Sequence, residues 1–153
     1  MKELQIGDEA PIFELLNQDD VKISLKDFFG KKIILYFYPK DNTPGCTLEA
    51  CDFTKFYDDF LNKNAVIIGI SPDSVKSHVN FIQKHNLKHI LLSDENKEIC
   101  KLYGAWGLKK NYGKEYEGLI RSTFVIDENG KIEKIYKNVK TKDHAFKVLQ
   151  ELC

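Results

Sequence analysis

Arginine is nearly missing from this chain. Of its 23 basic residues, 22 are lysine and one, Arg121, is arginine. Methionine and tryptophan each occur once and proline only four times, which leaves no proline-rich linker or recognition tract. Net charge is zero, 23 basic residues against 23 acidic. The lysines are scattered rather than gathered on one aromatic-interleaved stretch, so the electrostatic footprint of a nucleic-acid-binding protein is absent. No segment approaches the roughly 20 apolar residues that span a bilayer. Met1 to Glu9 already carry acids and no apolar run, so a signal peptide is not expected and the cytoplasm is the expected compartment.

A chain of 153 residues with 42% apolar and 30% charged residues has the make-up of one globular domain with a real core, expected to span residues 1–153. Four cysteines without an export signal argue against a structural disulfide framework, because reducing compartments keep thiols free. Zinc is disfavoured as well. Cys100 and Cys153 stand alone, and no histidine lies near Cys46 to complete a paired ligand set.

The elements alternate. Residues 12–16 and 21–23 read as short strands about the turn Asn17 to Asp20, an N-terminal hairpin. Ser24 caps a short helix that stops at Gly30. Ile33 to Tyr38 is too uniformly apolar for a wet face and reads as a buried strand. A helix from Pro44 to about Leu61 follows, then a buried strand at Ala65 to Ile70. A helix opened by Ser71-Pro72 runs to about His85. A strand at Ile90 to Leu92 and a helix near Lys97 to Tyr103 come next, and residues 104–118 read as an irregular loop. Leu119 to Ile126 and Lys131 to Tyr136 flank Asp127-Glu128-Asn129-Gly130 as a hairpin, before an amphipathic helix from about Lys142 to Leu152. This order predicts a thioredoxin-like α/β fold, a central mixed β-sheet flanked by helices.

The chemistry concentrates between Pro39 and Cys51, directly after the buried strand. Thr43-Pro44 is a helix start, a hydroxyl N-cap with proline at the first helical position, which puts Cys46 in the first turn. Unpaired backbone N–H groups and the positive end of the helix dipole there favour a thiolate, making Cys46 a candidate nucleophile. Cys51 is a candidate second thiol. In a regular helix, residues five apart differ by about 140° in rotation and about 7.5 Å in rise, with Cα atoms roughly 8 to 9 Å apart. A disulfide tolerates about 7 Å at most. A bond between these two cysteines therefore requires the first turns to unwind.

Several uses of Cys46 compete. A hydrolase needs a histidine base, but His78, His85, His89 and His144 sit in helix or helix-flanking positions without a motif and are expected at the surface or its boundary. A dithiol reductase would carry Cys-x-x-Cys, whereas four residues separate Cys46 from Cys51. A structural cysteine fits poorly in a Gly-, Asp- and Asn-containing helix entrance. Reduction of an oxidised small molecule by a thiolate, with a second thiol restoring it, remains. Arg121, the one guanidinium, stands in the strand-like run Leu-Ile-Arg-Ser-Thr-Phe-Val-Ile, either facing solvent or serving such a thiolate.

Pro39, Thr43 and Cys46 in Pro-x3-Thr-x2-Cys, with Arg121 in a later strand, resemble the active-site signature of the peroxiredoxins. Cys51, the Lys-Lys-x-Tyr-Gly-Lys-Glu-Tyr run at 109–116 and Arg-Ser-Thr-Phe-Val-Ile-Asp at 121–127 resemble the bacterioferritin comigratory protein, or peroxiredoxin Q, subfamily from Gly7 onward. The resemblance implies a cofactor-free thiol peroxidase acting on hydrogen peroxide and organic hydroperoxides. Cys46 would be the peroxidatic cysteine, Thr43 would hydrogen-bond the peroxide, Pro39 would shield the sulfenic acid, and Arg121 would hold the thiolate and the leaving oxygen. Cys51 would be the resolving cysteine, its disulfide with Cys46 reduced by thioredoxin, in a protein that is a monomer. A general disulfide reductase and a redox-sensing interaction module are the alternatives. Glu49 is read as an exposed, solvated acid, Trp106 as loop packing, and Cys100 and Cys153 as outside the motif.

Overall fold

A computed structural model describes residues 3–152; Cys153, read from sequence as outside the motif, lies beyond the described residues. β1 (Glu14–Asn17) and β2 (Lys22–Ser24) form the expected N-terminal hairpin. Its turn is fixed by Asn17, whose side-chain oxygen accepts from the backbone N–H groups of Asp19 and Val21. Ser24 and Asp27 then make a reciprocal capping box on a single 3-10 turn, Leu25–Phe28.

β3 (Lys32–Phe37) is buried at every position and is an interior strand, next to the central one, of a seven-stranded sheet ordered β2-β1-β5-β4-β3-β8-β9. It runs parallel to β4 (Ala65–Ser71), which runs parallel to β5 (Ile90–Ser93). β8 (Ser122–Ile126) pairs antiparallel on its other side, followed by β9 (Ile132–Tyr136). Successive side chains of β3 enter opposite layers, which is why the strand shows no polar alternation. Ile33, Leu35 and Phe37 pack with Phe13, Tyr103 and Phe124, whereas Ile34, Tyr36 and Tyr38 pack with Phe53, Phe60, Phe81 and Val148.

The second layer is built from α1 (Pro44–Lys55), α2 (Tyr57–Asn62), α3 (Val75–His85) and α5 (His144–Glu151). The first is closed by α4 (Glu98–Leu102) and the N-terminal segment. The fold is thioredoxin-like, as expected, with helices on both faces. Gly69 of β4 is required by packing: a Cβ there would lie 2.8 Å from Leu91 Cδ2 and 2.8 Å from the Tyr36 ring.

Four expectations need correction. Residues 104–118 are not an irregular loop: β6 (Trp106–Asn111) and β7 (Lys114–Leu119) form an antiparallel ribbon. Its two-residue turn, Tyr112-Gly113, takes positive φ at both positions, the geometry that matches strand twist. The strand expected at Leu119 to Ile126 is accordingly two, with Ile120 and Arg121 between them. The long helix after Pro44 breaks at Phe56, whose φ and ψ of −99° and 12° are not helical, into α1 and α2. α3 begins at Val75 rather than Pro72, because Ser74, not Ser71, accepts the capping bond from the Ser77 N–H.

Candidate active site

Two features of the backbone bring the expected residues together. The β3 ladder ends with Phe37 opposite Ser122, so Arg121 lies beside the loop that leaves β3. That loop, residues 38–43, carries half-buried Pro39 and Thr43 and delivers the chain into α1. Asn42 takes a left-handed φ of 63°, a conformation asparagine tolerates well.

Cys46 is buried in the first turn of α1, and Arg121 Nη2 donates to its Sγ at 3.2 Å. Arg121 Nη1 donates to Glu49 Oε1 at 2.7 Å. One planar guanidinium therefore spans two side chains three residues apart on one helix face, a placement that lysine, with a single nitrogen, could not copy. Burial works against the charge of Arg121, but Glu49 and Cys46 outweigh it and hold its pKa above the ordinary value.

Glu49 is the residue that sequence reasoning missed. It was expected to be solvated, yet it is completely buried. The available signal was its spacing: three residues after Cys46, it must share the face that Cys46 presents to Arg121. Burial raises its pKa to about 7, against the opposing pull of Arg121. The histidines correct a second expectation. His78, His89 and His144 are buried and hydrogen-bonded, leaving only His85 at a boundary position.

Thr43 is the N-cap residue, but it makes no side-chain cap. Its hydroxyl instead donates to the Lys40 carbonyl at 2.8 Å. With its proton committed there, the hydroxyl oxygen keeps lone pairs for a donor, and the first-turn N–H groups of α1 are not taken by it.

Cys51 lies on the same unbroken helix as Cys46, and both are free thiols. The helix keeps them beyond disulfide reach, with Cα atoms roughly 8 to 9 Å apart. Burial, and then the neighbouring Asp52, push the Cys51 thiol up, so it is poorly ionised while α1 is intact. Cys100 is buried in the opposite core layer, with burial and Asp94 raising its thiol far beyond physiological range. Among the described residues, no helix is long and apolar enough to cross a membrane.

The AhpC/TSA family matches residues 6–135. A Helicobacter pylori (strain J99) protein named as a peroxiredoxin of the bcp type is 55% identical over 152 residues, covering 99% of this chain and 100% of the relative. Peroxiredoxin Bcp of Bacillus subtilis is 49% identical, covering 97% and 95%. Among solved structures, the Xanthomonas campestris bacterioferritin comigratory protein superposes with a TM-score of 0.88 at 34% identity, covering 95% of this chain and 97% of that one. With matches spanning nearly its whole length, the chain belongs to the AhpC/TSA family and, within it, to the Bcp or peroxiredoxin Q group of peroxiredoxins.

Proposed function

We propose that this peroxiredoxin is a thioredoxin-dependent thiol peroxidase in which Cys46 is peroxidatic and Cys51 resolving. The observation that carries the assignment is the 3.2 Å contact between Arg121 Nη2 and Cys46 Sγ at a helix N-terminus. The Cys46 thiolate attacks the terminal oxygen of ROOH, the S–O bond forms as the O–O bond breaks, and RO⁻ leaves to be protonated as ROH. Arg121 and the first-turn N–H groups are fixed donors beside the charge that develops on the leaving oxygen, where preorganised dipoles act most strongly. The Thr43 oxygen accepts from the peroxide O–H, and Pro39 shields the sulfenic acid. Cys51 then attacks the Cys46 sulfur, water leaves, and thioredoxin reduces the disulfide.

Reduction of alkyl peroxides is the activity for which the X. campestris relative was studied, and its extension to this chain, with hydrogen peroxide and organic hydroperoxides as substrates, rests on shared family and site. Arg121 reaches Cys46 from within the same chain, so the peroxide step needs no second copy, and a monomer is the proposed working form. Peroxide consumption coupled to thioredoxin tests the reading. Wild type should turn over and Cys46→Ser should not. Undiminished peroxide decay in Cys46→Ser would overturn it.

A further inference from the structure

The loop that carries Pro39 and Thr43 is held by something other than its neighbours in sequence. Asp41, at its centre, is an acid with its side chain almost wholly buried, and it meets His78 of α3, which is completely buried. Asp41 Oδ1 accepts from the Tyr38 hydroxyl at 2.6 Å. Its Oδ2 accepts from Ser77 Oγ at 2.8 Å and lies 2.7 Å from His78 Nδ1. Burial, followed by the charges of Tyr36 and Asp41, keeps the Tyr38 phenol protonated, so it has a proton to donate to Asp41.

The far side of the imidazole is also spoken for. His78 Nε2 lies 3.0 Å from the Leu92 carbonyl, which can only accept, so Nε2 carries a proton. The Asp41 backbone N–H donates to Asp73 Oδ2 at 2.8 Å, and that oxygen also accepts from Ser71 Oγ at 2.7 Å. The ligand atoms of Asp41, Asp73 and His78 converge within 4.8 Å of one another. The atoms that meet here are all taken by protein partners, which marks an internal tie rather than a cation site.

A buried network of this kind is useful only when fully satisfied, and this one is satisfied at every atom it joins. It binds the centre of the loop to three separate elements: the end of β4, the start of α3 and the end of β5. None of its side chains is placed on the Cys46 sulfur. We propose that Asp41 and His78 are positioning residues for the peroxide step, fixing Pro39 and Thr43 against Cys46 and Arg121 through the loop they anchor. This rests on the peroxidase reading above and adds to it. The site must be held rigid to react with peroxide, yet the start of α1 must release for Cys51 to reach Cys46. An anchor on the preceding loop therefore acts on the first step and not on the second.

The test separates the two steps by rapid quench and intact-mass analysis of reduced protein mixed with peroxide, following sulfenic acid at Cys46 and then its disulfide with Cys51. Asp41→Ala and His78→Leu should slow sulfenic acid formation by about 10- to 100-fold, the cost of small misplacements of reacting groups. Disulfide formation from the sulfenic acid should be unchanged or faster. Asp41→Asn should stay within about threefold of wild type, because an amide oxygen still accepts from Tyr38 and its NH₂ group occupies the place beside Ser77 and His78 without a change of volume. Ser77→Ala, which removes one hydrogen bond and keeps the pair, gives a milder, foldable variant expected between these limits.

Folded Ala, Leu and Ser77 variants with wild-type rates of sulfenic acid formation would overturn the proposal. So would a parallel fall of both steps in proportion to lost thermal stability. Failure of wild type itself to consume peroxide would instead refute the peroxidase reading, which keeps the two outcomes distinct.

Discussion

Arg121 Nη1 donates to Glu49 Oε1 at 2.7 Å, while Oε2 of the same carboxyl is buried with no partner among the described residues. One half of this acid is matched to the guanidinium and the other half is stranded in the core. Two acidic groups, Glu49 and the Cys46 thiol, thus face one cation. A proton on the stranded oxygen relieves the imbalance, consistent with a carboxyl raised by burial to about 7.

The stability of the protein should carry the imprint of that proton. Glu49 is raised from 4.5 to about 7 on folding, so between those values the folded chain holds a proton that the unfolded chain has released. Its contribution is present at low pH and is lost as pH rises through about 7. Wild type should therefore gain less stability per pH unit than Glu49→Gln over pH 5 to 6.5, by about 1.4 kcal/mol per unit. His89, lowered to about 3, and His144, lowered to about 4, both by burial first, act with the opposite sign and should destabilise both proteins as pH falls below 6.5. Urea unfolding at several pH values reads the difference, and parallel curves for the two proteins would refute it.

Arg121→Lys should lower the rate of Cys46 oxidation by about 100-fold, the scale on which one preorganised donor acts. Lysine retains the charge but can reach either Glu49 Oε1 or Cys46 Sγ, not both at their present 2.7 and 3.2 Å. Stopped-flow peroxide decay under single-turnover conditions measures it. A rate within threefold of wild type would show that charge alone suffices.

Gly69→Ala should destabilise the fold by about 1 to 3 kcal/mol without touching the active site directly. The new methyl would meet Leu91 Cδ2 and the Tyr36 ring, both at 2.8 Å. Tyr36 cannot retreat easily, since its hydroxyl lies 2.7 Å from His89 Nε2 and its ring stacks on Phe53 at 4.7 Å. Thermal unfolding checks this, and an unchanged midpoint would mean that the layer has slack.

The parts of the fold that were legible in the sequence are those written in local chemistry. The apolar run of β3, the Thr43-Pro44 helix start and the Asp127 to Gly130 turn each specify themselves within a few residues. Glu49 and the histidines were not legible, because their burial depends on partners supplied from elsewhere: Arg121 for Glu49, Asp41 for His78, Tyr36 for His89 and Thr123 for His144. A charged or polar side chain alone reads as surface until its partner is known. The β6 and β7 ribbon escaped for the opposite reason. Its β7 residues from Lys114 to Glu117 are exposed, so no buried face printed an apolar alternation on them.

The resolving step supplies the last prediction. Cys46 and Cys51 share the unbroken α1, so their disulfide cannot form without local unwinding. Unwinding also frees Cys51 from the burial that raises its thiol, so the same motion that brings the sulfur within reach also removes the main obstacle to its ionisation. Oxidised wild type should lose amide-exchange protection over residues 44–52 relative to reduced protein. Cys51→Ser should react once with peroxide, retain that protection, and accumulate sulfenic and then sulfinic acid at Cys46. Cys100 offers no rescue, being sealed in the opposite layer with its thiol held protonated. Mass spectrometry of the variant and exchange measurements on both redox states read the two halves. Full thioredoxin-coupled turnover by Cys51→Ser, or unchanged protection in the oxidised wild type, would show that resolution does not run through this helix.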